Sequence, residues 1–226
     1  MIILASASPR RIEMLHNAGY DPVVKPASII EKLPFDMKPE TATMYLAMAK
    51  AFAVADEIIP VSEDGVTVRD PVRFSVNRYW PPAGEDIIII AADAVVVQDG
   101  SIIGKPTDES DAYAILSRLR GTSHHVVTGC CVCRISYYGQ MKLENAGQYE
   151  LTDGVRHTSC FYEDSEVFFK SYSNEELKAY VKTDEPYDKA GGYAIQGSFS
   201  KYIDHIEGDY DNVVGLPLTH LKQYID

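Results

Sequence analysis

Residues 87–97 limit the possible folds of this chain more than any other stretch. They form one continuous apolar run, rich in β-branched residues, which is typical of a central strand covered on both faces. The single polar residue in the run is Asp93. A lone carboxylate there costs free energy unless a cation, a metal ion or hydrogen bonds compensate it. Alanines beside Asp93 leave open space, so we expect it to line a reaction cleft; a structural ion pair with an arginine is the alternative.

A turn after this run brings the chain back toward Asp93. Asp-Gly at 99–100 is a hairpin signal, and Lys105 follows shortly after two isoleucines. We therefore expect Lys105 on the partner strand or just past its end, within reach of Asp93. An amphipathic helix is predicted to follow over residues 108–119.

The first residues of the chain are predicted to form a strand, a turn and a helix that begins with two arginines. Residues 2–4 are apolar, Ser8 is a good N-cap, and Pro9 suits the first helical position. Arg10 and Arg11 then fall in the first turn, where the helix dipole and the free N–H groups are already positive. Cations at that end favour a phosphate site built with serine hydroxyls, the alternative being two solvated arginines.

Two more charged residues stand out between these stretches. Glu31 lies in residues 27–38, which have no strong periodicity and are predicted to form a loop. Lys50 is the only cation in a mostly apolar helix predicted over residues 39–59. Such a lysine either extends its ammonium group to solvent or points into a cleft.

Charge and hydropathy narrow the classes of partner. The 226 residues carry a formal net charge of −12, which disfavours nonspecific binding to nucleic acid or to an anionic membrane, although a local basic pocket remains open. No apolar run approaches the roughly 20 residues that span a bilayer. The first apolar run is too short for a signal peptide and its arginines follow it. We therefore expect a cytoplasmic protein with no nucleic-acid or membrane partner.

Three of the four cysteines lie together in a predicted strand. They are Cys130, Cys131 and Cys133, with His124 close before them. Adjacent residues of a strand point to opposite faces, so Cys130 and Cys131 cannot face one metal ion. The pattern predicts buried reduced thiols and not a zinc site.

The order of predicted elements indicates one α/β domain over residues 1–226 with a mixed sheet and flanking helices, not a classical doubly wound fold. Ser173 begins a helix with a capping box. Residues 193–206 are predicted to be extended. Residues 60–86 and 139–154 look like peripheral inserts, as loops or hairpins.

Nine polar residues break local rules or recur near the predicted site. They are Ser6, Ser8, Arg10, Arg11, Glu31, Lys50, Asp93, Lys105 and Gln196. Cations can offset the charge of a polyphosphate, and carboxylates can hold a hard divalent metal ion. A carboxylate beside that ion can also take a proton from water. Neither a Walker A motif nor a dinucleotide fingerprint is present.

Short blocks in a fixed order give the chain a family resemblance. The blocks are Leu-Ala-Ser-Ala-Ser-Pro-Arg-Arg (4–11), Glu31, Ala-Lys-Ala (49–51), Ala-Asp-Ala-Val-Val (92–96), Gly-Lys-Pro (104–106), His124 with Thr-Gly (128–129), Asp-Lys-Ala-Gly-Gly-Tyr (188–193), Ile-Gln-Gly (195–197) and Val-Val-Gly-Leu-Pro (213–217). On these blocks the chain resembles the Maf family of nucleoside triphosphate pyrophosphatases. The resemblance covers nearly the whole chain.

This resemblance implies two lobes around a deep cleft, similar to the inosine triphosphate pyrophosphatases, and often a homodimer. The implied reaction cleaves a nucleoside triphosphate between its α and β phosphates with a divalent metal ion, Mg²⁺ or Mn²⁺. The family's general base maps onto Asp93, and its metal site onto Glu31 and Asp93. Its substrate-binding positions map onto Ser6, Ser8, Arg10, Arg11, Lys50, Lys105 and Gln196. Glu31, Lys50 and Lys105 are also counted as catalytic.

Base selection is implied by three positions, Arg10, Ala94 and Gln196. The block around Gln196 resembles the dTTP/UTP branch, but members of that branch usually have threonine where this chain has Ala94. Pyrophosphatases for CTP, 7-methyl-GTP or a modified pyrimidine nucleotide therefore stay open. A weakly catalytic, nucleotide-binding regulator of cell division is the alternative from another class.

Overall fold

A seven-stranded mixed sheet is the centre of the fold in the computed structural model, which describes residues 1–58, 86–137, 142–144, 148–150 and 154–226. The strands are β1 (Ile2–Leu4), β2 (Val23–Val24), β3 (Ile87–Gln98), β4 (Ser101–Ile103), β5 (Ser123–Tyr137), β6 (Lys142–Glu144), β7 (Gln148–Glu150), β8 (Gly154–Phe169) and β9 (Ile203–Glu207). The helices are α1 (Pro9–Asn17), α2 (Pro39–Ile58), α3 (Glu109–Leu119), α4 (Asn174–Tyr180), α5 (Tyr210–Val214) and α6 (Leu218–Ile225), with short 3-10 helices at Ala190–Gly192 and Ser198–Tyr202.

The strands follow the order β2-β1-β3-β5-β8-β9 across the sheet. β1 pairs in parallel with β2 and with β3, and helices α1 and α2 lie in the crossovers that parallel pairing requires. β3, β5, β8 and β9 pair antiparallel, as does the short β4 with β3. The predicted mixed sheet with flanking helices is confirmed, while the two-lobe cleft remains a prediction.

Burial on both faces explains the continuous apolar run. Alternate residues of β3, including Ile87 and Ile89, pack against α2 on one face. Their neighbours Ile88 and Ile90 pack against residues of α1 and α6 on the other face. Farther along β3 that second face is covered by α3 and α4, through Val96. Among the helices in the described ranges, none is long and apolar enough to cross a membrane.

Local sequence signals predict several helix ends correctly. Ser8 and Pro9 begin α1, Asp108 caps α3, and Ser173 begins α4 with a complete capping box. The extended prediction for residues 193–206 is wrong in its middle, where the 3-10 helix Ser198–Tyr202 interrupts the chain before β9. The Glu185 carboxylate, 13 residues earlier, accepts a hydrogen bond from the backbone N–H of Ser198, the first residue of that helix.

The structure describes only part of the two predicted inserts. Apart from Asp86, residues 60–86 lie outside the described residues. Of residues 139–154, the strands β6 and β7 and the first residue of β8 are described, and β6 pairs antiparallel with β7 as a hairpin would.

Candidate active site

Strand pairing is interrupted along one edge of β3, and this leaves an opening in the middle of the sheet. β5 pairs with β3 from Ile87 to Val97, so it occupies one edge of the strand completely. The other edge is shared, with β1 beside residues 88–90 and β4 beside residues 96–98. Between them three consecutive residues, 93–95, are partly exposed in a strand that is otherwise buried. Asp93 therefore lies at a gap between two strands on the same edge.

Asp93 forms part of a charged cluster at this gap. By strand alternation its side chain points to the same face as Ile89, which is the face that α2 covers. Lys50 of α2 places its Nζ 2.6 Å from Asp93 Oδ1 and 2.7 Å from Glu31 Oε1. The side chains of Lys50 and Asp93 are 13% and 14% exposed, so they are only partly screened by water, whereas that of Glu31 is 57% exposed. Lys50 thus points into the gap and joins the two carboxylates.

A close approach of α2 to the sheet makes this contact possible. Gly129 of β5 lies opposite Asp93 in the ladder. A Cβ atom at Gly129 would lie 2.3 Å from the backbone N of Met44 and 2.3 Å from the carbonyl carbon of Thr43. Only glycine lets the backbone of α2 come so near, and this approach helps to bring Lys50 toward Asp93.

Glu31 lies among three cations, although it is in an irregular loop. The hydrogen bond and charge of Lys50 lower the pKa of Glu31 from its usual value, and the charges of Lys105 and Arg11 add to the effect against partial burial. Lys105 is exposed just past the end of β4, as predicted. The charges of Lys50, Lys105 and Arg11 therefore converge on one side of the gap.

The two arginines of the first turn of α1 differ in their contacts. Arg11 donates from Nε to the Gly215 carbonyl at 2.8 Å and from Nη1 to the Ala92 carbonyl at 2.7 Å, within the gap of β3. Arg10 forms no hydrogen bond or ion pair with other residues of the described ranges, but its charge helps to lower the pKa of Asp188, mainly held low by Lys189. Arg11 is fixed to the scaffold, while the guanidinium of Arg10 is open to a ligand.

The serines before α1 also have separate contacts. Ser6 Oγ accepts from the backbone N–H of Ser8 at 3.2 Å and from Arg11 Nη1 at 3.3 Å. Ser8 is the N-cap residue of α1, yet its side chain makes no capping hydrogen bond. The hydroxyl of Ser8 is thereby left available at the N-terminus of α1, next to Arg11.

Of the two remaining predicted positions, Gln196 lies on another element, and Ala94 lies on the face of β3 opposite Asp93. Gln196 is exposed in a turn, and Ala94 is partly exposed but points to the face opposite Asp93. Gln196 belongs to residues 184–198, here called the 184–198 segment. The backbone N–H of Gly191 in this segment donates to the Gly104 carbonyl at 3.0 Å. That bond joins the segment to the residue before Lys105.

A buried polar pair that the site prediction does not include also anchors the 184–198 segment. His124 Nε2 and the Tyr193 hydroxyl are 2.6 Å apart, and both side chains are buried. Burial, assisted by the charge of His125, lowers the pKa of His124 to about 4. The motif blocks contain both residues, but sequence alone does not pair them because 69 positions separate them.

The cysteines do not form a metal centre. Cys130 and Cys131 are buried in clusters on opposite faces of the sheet, as predicted, and Cys130, Cys131, Cys133 and Cys160 are free thiols. Within the ranges that the structure describes, no group of three or more histidine, cysteine, aspartate or glutamate side chains could hold a metal ion. Glu31 and Asp93 are a pair of carboxylates that converge on one point, the Nζ of Lys50.

The fold and site define a mixed α/β protein in which positively and negatively charged side chains meet at a gap beside its central strand, β3. Comparison with known proteins identifies the family: the model of Maf-like protein matches residues 1–226, and the chain belongs to the Maf family. Among its relatives are proteins named dTTP/UTP pyrophosphatase from Agathobacter rectalis, Geotalea uraniireducens and Dictyoglomus turgidum, each 38% identical to this chain. The matches cover 98%, 97% and 100% of this chain and 94%, 91% and 94% of the respective relatives.

Proposed function

We propose that this chain is a nucleoside triphosphate pyrophosphatase that hydrolyses dTTP and UTP to the monophosphate and pyrophosphate. The observation that carries the proposal is the charged cluster of Lys50, Glu31 and Asp93 at the open edge of β3. Relatives named dTTP/UTP pyrophosphatase, similar over nearly the whole chain, support the substrate and reaction. Membership of the Maf family agrees with both.

The proposed reaction needs a base, an oriented phosphate chain and compensation of negative charge. Asp93 accepts a proton from water, whose oxygen attacks the α-phosphorus while the bond to the α–β bridging oxygen breaks and pyrophosphate leaves. Arg10 and Lys105 bind the phosphates, and Arg11 binds them with the donors that its hydrogen bonds to the protein leave free. Positioning and electrostatic stabilisation of this kind supply most of the catalysis in phosphoryl chemistry.

The two carboxylates also fit a divalent metal ion, Mg²⁺ or Mn²⁺. Glu31 and Asp93 offer hard oxygen ligands that already converge on a single cationic group. Mg²⁺ commonly takes one or two protein carboxylates and completes its coordination with water and substrate phosphates. Bound there, such an ion would neutralise phosphate charge. Glu31 and Asp93 would hold it, and Lys50 would have to release its contacts with one or both carboxylates.

We assign base selection to Gln196, Arg10 and Ala94. Gln196 and Arg10 support this because both are accessible and make no hydrogen bond with other residues of the described parts. Ala94 has no polar group and points away from Asp93, so it can act on the base through its size alone. A pyrophosphatase for CTP, 7-methyl-GTP or a modified pyrimidine nucleotide, or a weakly catalytic regulator of cell division, would have to account for the same charged cluster.

Three further expectations accompany this function. Free thiols at all four cysteines agree with a reducing compartment, which supports a cytoplasmic location. A homodimer rests on the family resemblance alone and is tested by measuring the mass of the protein in solution. A nucleotide substrate requires no nucleic-acid or membrane partner.

The test of the proposed function is pyrophosphate release with Mg²⁺ or Mn²⁺ across dTTP, UTP, CTP, GTP and 7-methyl-GTP. Asp93→Asn should slow release by about 100-fold to 10,000-fold, the range for loss of a general base, while the melting temperature stays close to that of the wild type. Asp56→Asn is a matched control, because Asp56 also pairs with a cation, Arg156, at 2.9 Å, but away from the gap.

Release from dTTP and UTP that is lost only in Asp93→Asn supports the proposal. Release from another nucleotide keeps the chemistry and changes the substrate. No release from any nucleotide, or near-normal release by Asp93→Asn, contradicts the assigned reaction or the assigned base.

A further inference from the structure

The carboxylate of Glu185 lies against the turn that carries Gln196. Its Oε2 accepts from the backbone N–H of Ser198 at 3.1 Å and from Ser198 Oγ at 2.8 Å. Its Oε1 accepts from the Tyr180 hydroxyl at 3.2 Å. Glu185 thus holds the beginning of the 3-10 helix Ser198–Tyr202 from 13 residues earlier in the chain.

Gly197 provides the space for this contact. A Cβ atom at Gly197 would lie 1.8 Å from Glu185 Oε1, far inside any tolerable contact. The φ of Gly197 is −92°, which other residues also adopt. Glycine is therefore needed at this position for space, not for an unusual backbone conformation, and the carboxylate oxygen lies where a side chain would begin.

The surroundings of Glu185 keep its carboxylate charged. Burial alone would raise its pKa, but the hydrogen bonds from Ser198 and Tyr180 and the charge of Lys189 outweigh burial and lower the pKa below its usual value. Lys189 also donates from Nζ to the backbone carbonyl of Glu185 at 2.9 Å. An ionised carboxylate makes stronger hydrogen bonds to N–H and O–H groups than a neutral acceptor does.

Other contacts hold the part of the 184–198 segment that precedes Gln196. Tyr193 is bound to His124 and Gly191 to Gly104, independently of Glu185. Gln196 itself is exposed and has no hydrogen bond with another residue of the described ranges, so its position follows from the backbone of its turn. Loss of Glu185 should therefore disturb residues 196–198 and leave Lys105 in place.

We propose that Glu185 is a positioning residue for base selection, which it influences by fixing the turn that presents Gln196. This inference rests on the proposed function, because that function assigns Gln196 to recognition of the base. Glu185 does not touch the charged cluster around Asp93, so it affects the choice between nucleotides more than the chemical step.

The test compares kcat/KM for UTP with kcat/KM for CTP in single and double variants. Glu185→Ala should lower this ratio by about tenfold, the scale of one lost charged hydrogen-bond contact, with kcat for UTP changed by no more than about threefold. Glu185→Gln keeps one oxygen that can accept from Ser198 and should restore part of the ratio. Because Glu185 acts through Gln196, the double variant Glu185→Ala/Gln196→Ala should have the ratio of Gln196→Ala alone.

A structural readout accompanies the kinetics. Hydrogen exchange of the Ser198 amide should become faster in Glu185→Ala and stay unchanged in Asp184→Asn, which removes an exposed carboxylate one residue earlier. If Glu185→Ala does not fold, Gly197→Ala serves as a second variant, since its methyl group must displace the Glu185 carboxylate. It should produce the same fall in the ratio.

The outcomes separate the two proposals. Faster exchange at Ser198, a lower ratio and a double variant that adds nothing support the role of Glu185. Faster exchange with an unchanged ratio, while Gln196→Ala lowers it, overturns this inference alone. An unchanged ratio in Gln196→Ala overturns the assignment of Gln196 and the inference with it, whereas the reaction itself is judged by wild-type release and Asp93→Asn.

Discussion

The gap of β3 and the 184–198 segment are held by different kinds of interaction. At the gap, Lys50 pairs with Glu31 and Asp93, and all three reach solvent. In the segment, buried Tyr193 binds His124, and its ring makes edge-to-face contacts with Phe169. A phosphate or a metal ion can replace the protein's own charges at the gap, but it cannot replace a buried aromatic contact. The comparison teaches that the charges of the gap are free to exchange partners because buried contacts such as that between Tyr193 and His124 keep the surrounding geometry.

Replacing Lys50 tests the charged side of the comparison, and its effect on the reaction should be larger than that of replacing Gly129 or of lowering the pH. Lys50→Met should lower pyrophosphate release on the order of 100-fold, because the triphosphate loses a cation and two carboxylates are left without their common partner. Steady-state kinetics with UTP measures the loss. Lys25→Met is the control, since Lys25 forms an ion pair with Glu57, away from Asp93, and should keep normal release. Equal effects of the two variants would contradict a special role of Lys50.

Replacing Gly129 tests how strongly the scaffold sets the charged cluster. Gly129→Val places a side chain where the backbone of α2 lies and should lower the free energy of unfolding by about 1–3 kcal/mol, the usual cost of overpacking. Denaturant unfolding measures it. The control is Gly104→Ala, where a Cβ atom meets nothing within 4 Å. A stability like that of the wild type in Gly129→Val would show that α2 does not need its close approach.

Acid should test the buried side of the comparison. The folded-state pKa of His124 is about 4, below the value of 6.5 that suits the unfolded chain. The unfolded state therefore binds the proton first, so the stability linked to neutral His124 is complete above about pH 6.5 and is lost as the pH falls toward 4. Between pH 7 and pH 4.5 the melting temperature of the wild type should fall more than that of His124→Phe. Parallel curves for the two proteins would contradict the shifted pKa.

The sequence predicts the charged cluster better than it predicts the contacts that support it. Asp93 and Arg11 each break a local rule, an acid within an apolar strand and a cation in the first turn of a helix, and such conflicts tend to mark sites. The apolar run likewise predicts β3, because a strand without polar alternation is typically buried on both faces. These signals are local, so one stretch of sequence is enough to detect them.

The supporting contacts join residues that are separated in the sequence, and no local pattern predicts such pairs. Residues 193–206 look extended by composition, yet Glu185 holds the amide of Ser198 and a 3-10 helix forms there. Gly129 looks like an ordinary strand glycine until α2 is packed against it. Arg10 and Arg11 are neighbours with the same chemistry, and their roles differ because Arg11 donates to the carbonyls of Ala92 and Gly215 and to Ser6 Oγ.

The shared edge of β3 has a consequence for how this chain can vary. β1 and β4 both take their register from one continuous strand, so the number of residues between them fixes the width of the opening, at about 3.3 Å per residue. A single insertion or deletion there would turn one half of the strand over, sending Asp93 or its buried neighbours to the wrong face. The number of residues in this stretch is therefore as constrained as the identity of Asp93.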